Sequence, residues 1–389
     1  MKILHLFSDW KWTGPAEPVL NLCRELERRG HDVTLAYRRP PREVEDSFEK
    51  RILETGLKAT HQFHLDHVLK LSHPTSFLDT LQDVRRLTDF LHREKFDILN
   101  VHHSHDHILG AVAAVRLEGP PVLVRTDHNR DSIKPSWGNR FLLSRFTDGL
   151  VVFSEKARRE NVSHFGFPTE RVCKIAPALA LDRYEPQRKS KDMRAVFHIG
   201  PDEVVIGMVA RFQKYRRTAV FLQAVKSIVG EFPKIKVLLV GRSSQLEESV
   251  VKPTKELGIE RWVTLAGYRT DDYLDTLASM DLFVFLMAGS DGTARALREA
   301  MAMGKPVIVA DRGMLPELVE DGISGWVVRD TPEALADAVL KMLRQPELRK
   351  TMGEAAYRKA HQDFRLDRQA EVLETFYQEM KHLGKWKRR

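Results

Sequence analysis

The sequence predicts an α/β protein of two domains, each a doubly wound parallel sheet with helices on both faces. Short apolar runs alternate with helix-length amphipathic segments, the alternation comes in two series, and a stretch without apolar periodicity separates them. At 389 residues the chain also exceeds what a single core comfortably serves.

The first series opens with Ile3–Phe7, an unbroken apolar run of the kind that suits a strand covered on both faces. A helical stretch, Ala16–Arg29, follows, with Gly30 as its stop and Val33–Tyr37 as the next strand. Further strands are expected at Ile98–Val101, Pro121–Arg125 and Gly149–Phe153. The segment Ala176–Gly200 carries Pro177, Pro186 and a basic run from Arg188 to Lys191, and reads as the linker. The second series gives strands at Val204–Ala210, Lys236–Val240, Trp262–Ala266, Leu282–Leu286 and Pro306–Ala310. From Glu347 to about Leu383 the pattern is of consecutive helices, expected to pack back on the first domain. The expected division is therefore 1–180, 181–365, and a C-terminal helix with basic tail at 366–389. Parallel sheets of this type bind ligands at the carboxyl ends of their strands, so a cleft between the two domains is the expected site.

Composition narrows the class. Hydrophobic residues make up 42% and charged residues 30%, the balance of a globular protein. Cys23 and Cys173 lie far apart in apolar contexts and read as buried thiols of a reducing compartment. The N-terminal apolar run reaches polar Ser8-Asp9 too soon for a signal-peptide core, and no stretch is long enough to span a bilayer, so a cytoplasmic location is expected. A net charge of +8 and a pI near 9.3 favour anionic partners. The tail, Lys381-His382-Leu383-Gly384-Lys385-Trp386-Lys387-Arg388-Arg389, is either a solvated terminus or a peripheral contact to an anionic inner-membrane face or to the other domain. No zinc-finger spacing, RNA-binding aromatic motif or basic zipper is present, which argues against nucleic acid.

The strongest local signal runs from Ser290 to Ile308. An apolar strand ends at Met287, small residues follow, a helix starts near Thr293, and a new strand opens at Pro306. Unpaired N–H groups at such a helix start suit a diphosphate. Asp291 and Glu299 are separated by about 2.2 helical turns, so their carboxylates can share a face. Alternatively Asp291 is an N-cap and Glu299 a solvated helix residue. Thirteen of the 16 histidines precede residue 181, and four cluster in His102-His103-Ser104-His105-Asp106-His107. That cluster suggests a metal, yet no second group of Cys, Asp or Glu at ligand spacing completes a site, so structural polar contacts remain open.

Together these segments resemble the retaining glycosyltransferases of family 4, which have the GT-B fold of two Rossmann-like domains. The stretch from Asp291 to Glu299 is similar to the family's acidic-x7-Glu motif, with Asp in place of the usual Glu. The resemblance implies that Asp291 contacts donor-sugar hydroxyls and Glu299 the ribose, with Gly292, Thr293, Ala294 and Arg295 forming the helix start that faces the donor. Arg211-Phe212-Gln213-Lys214-Tyr215-Arg216-Arg217 resembles the family's Arg-x4-Lys-Gly segment, with Arg216 at the Lys position and Arg217 at the Gly position. It implies that Arg211 and Arg216, or Lys214 if the loop is shifted, neutralise the departing diphosphate. By the same likeness Gly241 and Tyr268 border the nucleotide base, and Gly14, the one glycine left of a Gly-Gly pair, approaches the donor phosphates beside a stiffening Pro15. His128, in Thr126-Asp127-His128, matches the family's active-site histidine, whose charge switch near neutral pH can position or relay a proton. His102, His103 and His105 would line the acceptor pocket. Asp311–Val319 and Asp321–Trp326 extend the match, whereas Pro177-Ala178-Leu179-Ala180 departs from the family's Pro-Gly-Val-Asp hinge.

The resemblance implies transfer of a sugar from a UDP- or GDP-linked donor to an acceptor hydroxyl of a glycan or lipid-linked molecule, with retained configuration, as in cell-envelope, lipopolysaccharide or polysaccharide synthesis. No Asp-x-Asp motif is present, so neither metal nor cofactor is expected. A nucleotide-sugar epimerase of the same fold and a catalytically impaired sugar-binding homologue are the alternatives. A Rossmann oxidoreductase is excluded by the missing Gly-x-Gly-x-x-Gly turn.

Overall fold

The computed structural model describes residues 1–12, 14–40, 47–65, 74–129, 132–185, 191–288 and 294–385. The chain forms two compact units, one of Met1–Ala178 with Leu366–Arg389, the other of Leu179–Arg365.

The first unit is built on seven parallel strands: β1 (Lys2–Phe7), β2 (Asp32–Tyr37), β3 (Ala59–Thr60), β4 (Ile98–Val101), β5 (Val122–Thr126), β6 (Gly149–Val152) and β7 (Val172–Lys174). Their order is β3-β2-β1-β4-β5-β6-β7, so the chain winds outward from β1 in one direction and then from β4 in the other. One face of the sheet packs Ile3, Phe7, Leu35, Val124 and Val151 against Val19, Cys23 and Leu26 of the helix Ala16–Arg28. The other packs Leu4, Leu6, Leu99 and Val101 against Leu87, Leu91 and Leu109. Burial on both faces is why these strands read as continuous apolar runs.

The C-terminal helix Leu366–Leu383 adds Ala370, Leu373, Phe376, Tyr377 and Met380 to the first of those layers. The last turn of that helix and the residues after it are tied down. Lys381 bonds Asp97 at 2.6 Å, Lys385 bonds Asp148 at 2.7 Å, and the Arg171 guanidinium donates to the carbonyl of Gly384 at 3.1 Å. Residues 386–389 lie outside the described residues.

The second unit has six parallel strands: β8 (Val204–Val209), β9 (Ile235–Val240), β10 (Val263–Gly267), β11 (Leu282–Phe285), β12 (Val307–Ala310) and β13 (Gly325–Val328). They lie in the order β10-β9-β8-β11-β12-β13. Ile206, Val237, Leu239, Val284 and Ile308 form a core with Phe221, Val225, Ile228, Leu335, Val339 and Met342.

Three strands lie outside the sequence expectations, and the expected linker, within which the two units divide, is partly structured. Strands β3 and β7 are two and three residues long, too short to announce themselves as apolar runs, and β13 adds a sixth strand to the second sheet. The expected linker, Ala176–Gly200, is structured in its second half. There Asp192 caps the short helix Met193–Val196, and the Arg194 guanidinium donates to the carbonyl of Gly200 at 3.0 Å and to Asp281 at 3.3 Å.

Candidate functional site

In the first unit three histidines gather along β1 and just after β4 and β5. His5 stands on β1, while His102 and His128 follow β4 and β5. Because β1 neighbours β4 and β4 neighbours β5, the three rings come together. His5 Nδ1 is 3.0 Å from His102 Nε2, and His102 Nδ1 is 2.9 Å from His128 Nε2. Each facing pair of nitrogens shares one proton, so the two hydrogen bonds run in a common direction. The outer nitrogens, His5 Nε2 and His128 Nδ1, are buried and meet no partner among the described residues. A proton accepted at His128 Nδ1 can therefore shift the chain of protons one step towards His5.

Burial dominates the charge state of this chain. It pulls His5 down to about 3 and holds His102 and His128 well below the usual imidazole value, with the neighbouring cationic groups adding to the effect. The expected charge switch of His128 near neutral pH is thus corrected. In the folded protein burial holds it as a neutral ring.

The four-histidine run divides. His103 precedes the helix Ser104–Val115, and its N–H donates to Asp106 at 2.9 Å. Asp106 also accepts from the Ser8 N–H at 3.3 Å, which joins the loop after β1 to the end of β4. Burial pushes the Asp106 carboxyl up, but His103 and its other bonds outweigh this and hold it below the ordinary carboxylate range. His105 is buried within electrostatic reach of Asp83. His107 pairs with the Thr147 hydroxyl at 2.7 Å and is pulled down to about 3 by burial. Only His102 and His103 of the run share the strand-end region with His128. Gly14 is half-buried, and Pro15 begins the helix Ala16–Arg28 without a side-chain cap.

In the second unit the residues expected on the donor side follow β8, β9 and β10, with a further group after β11 partly outside the described residues. Gly241 follows β9 at φ +142, its N–H donating to the carbonyl of Gly267 at 2.8 Å. A Cβ there would lie 1.9 Å from the carbonyl oxygen of Ala210, so only glycine fits. Gly241→Ala is accordingly expected to cost about 3 kcal/mol, read as a lowered urea midpoint at unchanged slope. Tyr268, after β10, is 55% exposed, and the Arg242 guanidinium lies 4.2 Å from its ring centroid.

After β8, Arg211 and Lys214 are exposed, and Arg216 turns inward to donate from Nη1 to the carbonyl of Met287 at 2.8 Å. That bond holds the guanidinium at the end of β11, where the segment of Asp291 begins. Arg217, where the family carries Gly, has left-handed backbone at φ +63 and is held by Asp330 at 2.8 Å. The position keeps the glycine conformation without the glycine, and the ion pair offsets the strain of about 1 kcal/mol.

Asp291, Gly292 and Thr293 lie outside the described residues. The helix expected near Thr293 runs over Arg295–Ala302, preceded by Ala294 in left-handed backbone at φ +48. Glu299 on this helix is 2% exposed, which excludes a solvated helix residue. Its Oε1 accepts from Arg295 Nε at 2.7 Å and the Tyr184 hydroxyl at 2.9 Å, and its Oε2 from the Tyr273 hydroxyl at 2.5 Å. Burial pushes Glu299 up, yet Arg295 and the tyrosine bonds prevail, so it stays ionised with its pKa below the ordinary value. The sequence pointed to Glu299 and Arg295 but not to Tyr184 and Tyr273, whose positions carry no motif.

The comparisons with known proteins bear on the family and the fold. Residues 13–183 match the model described as Glycosyltransferase Family 4, and residues 189–359 match Glycosyl transferases group 1. The chain is 26% identical over 316 residues to an N-acetyl-alpha-D-glucosaminyl L-malate synthase of Bacillus anthracis, covering 75% of this chain and 77% of that one. It is 26% identical over 383 residues to a D-inositol 3-phosphate glycosyltransferase of Corynebacterium diphtheriae, covering 92% and 88%. Among solved structures, Anabaena HepE in complex with UDP-glucose superposes with a TM-score of 0.76 at 20% identity, over 97% of this chain and all of that one. A glycosyltransferase from Rickettsia africae gives 0.80 at 15% identity, over 97% and 98%.

Proposed function

The chain belongs to the family 4, group 1 glycosyltransferases, and from that premise we propose that it transfers a sugar from a nucleoside diphosphate donor to an acceptor hydroxyl, with retention and without a divalent metal. The bond from the anomeric carbon to the β-phosphate oxygen breaks, and a bond from the same carbon to the acceptor oxygen forms on the same face. The acceptor's proton passes to the departing diphosphate. Arg211 and Arg216, with Lys214 beside them, meet the charge that grows on that diphosphate, the role a cation would otherwise fill. Asp291 holds donor-sugar hydroxyls, the Glu299 carboxylate takes the ribose, and Gly241 and Tyr268 border the base. Gly14 approaches the phosphates, while His128, with His102 and His103, orients the acceptor.

One observation carries the reading: the Arg216 guanidinium, fixed 2.8 Å from the Met287 carbonyl, sets a positive charge at the strand end that leads into the acidic motif. An acceptor in cell-envelope polysaccharide or lipid-linked glycan synthesis suits the protein's basic charge. The test is a thermal-shift panel of UDP-, GDP- and ADP-sugars with and without EDTA. The matching donor at about 100 times its Kd is expected to stabilise the second unit by about 2.7 kcal/mol, undiminished by the chelator. Stabilisation that appears only after a divalent ion is added would overturn metal independence, and isomerised donor formed without acceptor would point to an epimerase.

A further inference from the structure

The helices Ser104–Val115 and Trp137–Phe146 leave an open apolar groove on the first unit, with a volume of about 530 Å³. Val112, Val115, Arg116, Phe141, Leu142 and Phe146 line it. Its rim is unusually apolar for a water-facing surface: Trp137 is 80% exposed, Val115 63%, Phe141 45% and Val112 39%. Trp137 and Phe141 stack in parallel, with centroids 5.6 Å apart and planes within 4°.

The aromatic rim is held out from the body by its own hydrogen bonds. Ser136 caps the helix by accepting from the Asn139 N–H at 3.2 Å, and the Asn139 side chain donates to the Lys134 carbonyl at 2.9 Å. The Ser136 N–H donates to the same carbonyl at 2.7 Å. The turn thus presents Trp137 at the helix tip instead of folding it into the core.

Charge identifies the occupant. Between Ser132 and Thr147 the sequence contains Lys134, Arg140 and Arg145 and no acidic residue. All three are exposed, as is Arg116 at the end of the neighbouring helix; of the acidic residues near them in sequence, Glu118 is exposed, Asp148 is buried and bonded to Lys385, and Asp131 lies outside the described residues. Tryptophan and phenylalanine ringed by cations match the boundary between anionic headgroups and acyl chains, where an indole keeps its N–H wet and its ring dry. A soluble protein partner would need acidic side chains around an apolar plug; an anionic bilayer supplies both features as a continuous surface.

We infer that this face docks the protein on anionic lipid bilayers. The docking surface is separate from the tail lysines 381 and 385, which are spent on Asp97 and Asp148. It does not rest on the transfer chemistry, because membrane binding is read without substrate.

The test is co-sedimentation of the full chain with vesicles of phosphatidylcholine alone or mixed with phosphatidylglycerol, at low and high salt. Wild type is expected to bind the phosphatidylglycerol vesicles and to be released by salt. The Trp137→Glu, Phe141→Glu double variant is expected to bind about tenfold less or weaker still, with a folded circular-dichroism spectrum, because Trp137 is largely and Phe141 nearly half exposed. Replacing Lys134, Arg140 and Arg145 with Gln should abolish the preference for anionic over neutral vesicles. Wild type that ignores both vesicles would overturn the inference, as would a double variant that binds like wild type. So would a concentration-dependent dimer in gel filtration that the double variant dissolves, since the face would then be an interface between two copies of this chain.

Discussion

Lowering the pH from about 7.5 to about 5.5 is expected to destabilise the first unit by about 5 kcal/mol while leaving the second nearly unchanged. His5, His102, His107 and His128 are all buried in the first unit and all held neutral, His5 and His107 at about 3 and the other two well below the ordinary value. In the unfolded chain each would titrate near 6.5. Below that value the unfolded state binds protons that the folded state refuses, so stability is present above it and lost as the pH falls. The linkage amounts to about 1.4 kcal/mol per imidazole over this interval. A loss of that size is comparable to the whole stability of an ordinary domain. Hydrogen exchange read by mass spectrometry separates the units: peptides from 98–129 should lose protection at mild acid before peptides from 204–240. His107→Gln, which can still pair with Thr147, should remove about a quarter of the dependence. Equal protection of 98–129 at both pH values would show that these rings are not neutral and buried in solution.

Arg211→Ala and Arg216→Ala are each expected to lower kcat by about 10²–10³-fold, with much smaller changes in donor KM. The charge they meet is concentrated on the diphosphate only as the glycosidic bond breaks, so the loss falls on the transition state. Arg211→Lys and Arg216→Lys should recover part of the rate, Arg216→Lys less fully. Arg216 anchors on the Met287 carbonyl through one nitrogen of a planar, delocalised cation, and the point charge of an ammonium cannot reproduce that geometry. The double alanine variant should fall short of the product of the two single losses, since both side chains act on one group. Initial rates with a saturating acceptor decide the matter. Two variants within threefold of wild type would remove the arginines from the mechanism.

What the sequence determined by itself is the local part of the protein. The long strands were legible because burial on both faces demands an unbroken apolar run, and the helix stop at Gly30 because only glycine takes its left-handed backbone cheaply, at φ +89. The residues of the second unit that follow strands, Arg211, Arg216, Gly241 and Tyr268, were legible for a related reason: the carboxyl ends of parallel strands are where connecting loops converge. Strands β3 and β7 were not, because two or three residues give too little pattern to separate from a turn.

Everything that depends on strand order was decided only in three dimensions. His5 and His102 are 97 positions apart, and His102 and His128 are 26 apart. They form one hydrogen-bonded chain because the sheet doubles back to set β4 beside β1 and β5 beside β4. Tyr184 reaches Glu299 across 115 positions and Tyr273 across 26, and that meeting turns a carboxylate readable as solvated into a buried, hydrogen-bonded one. The depression of His128 belongs to the same class. A side chain's identity is written locally, but its solvation is set by whatever the fold brings against it.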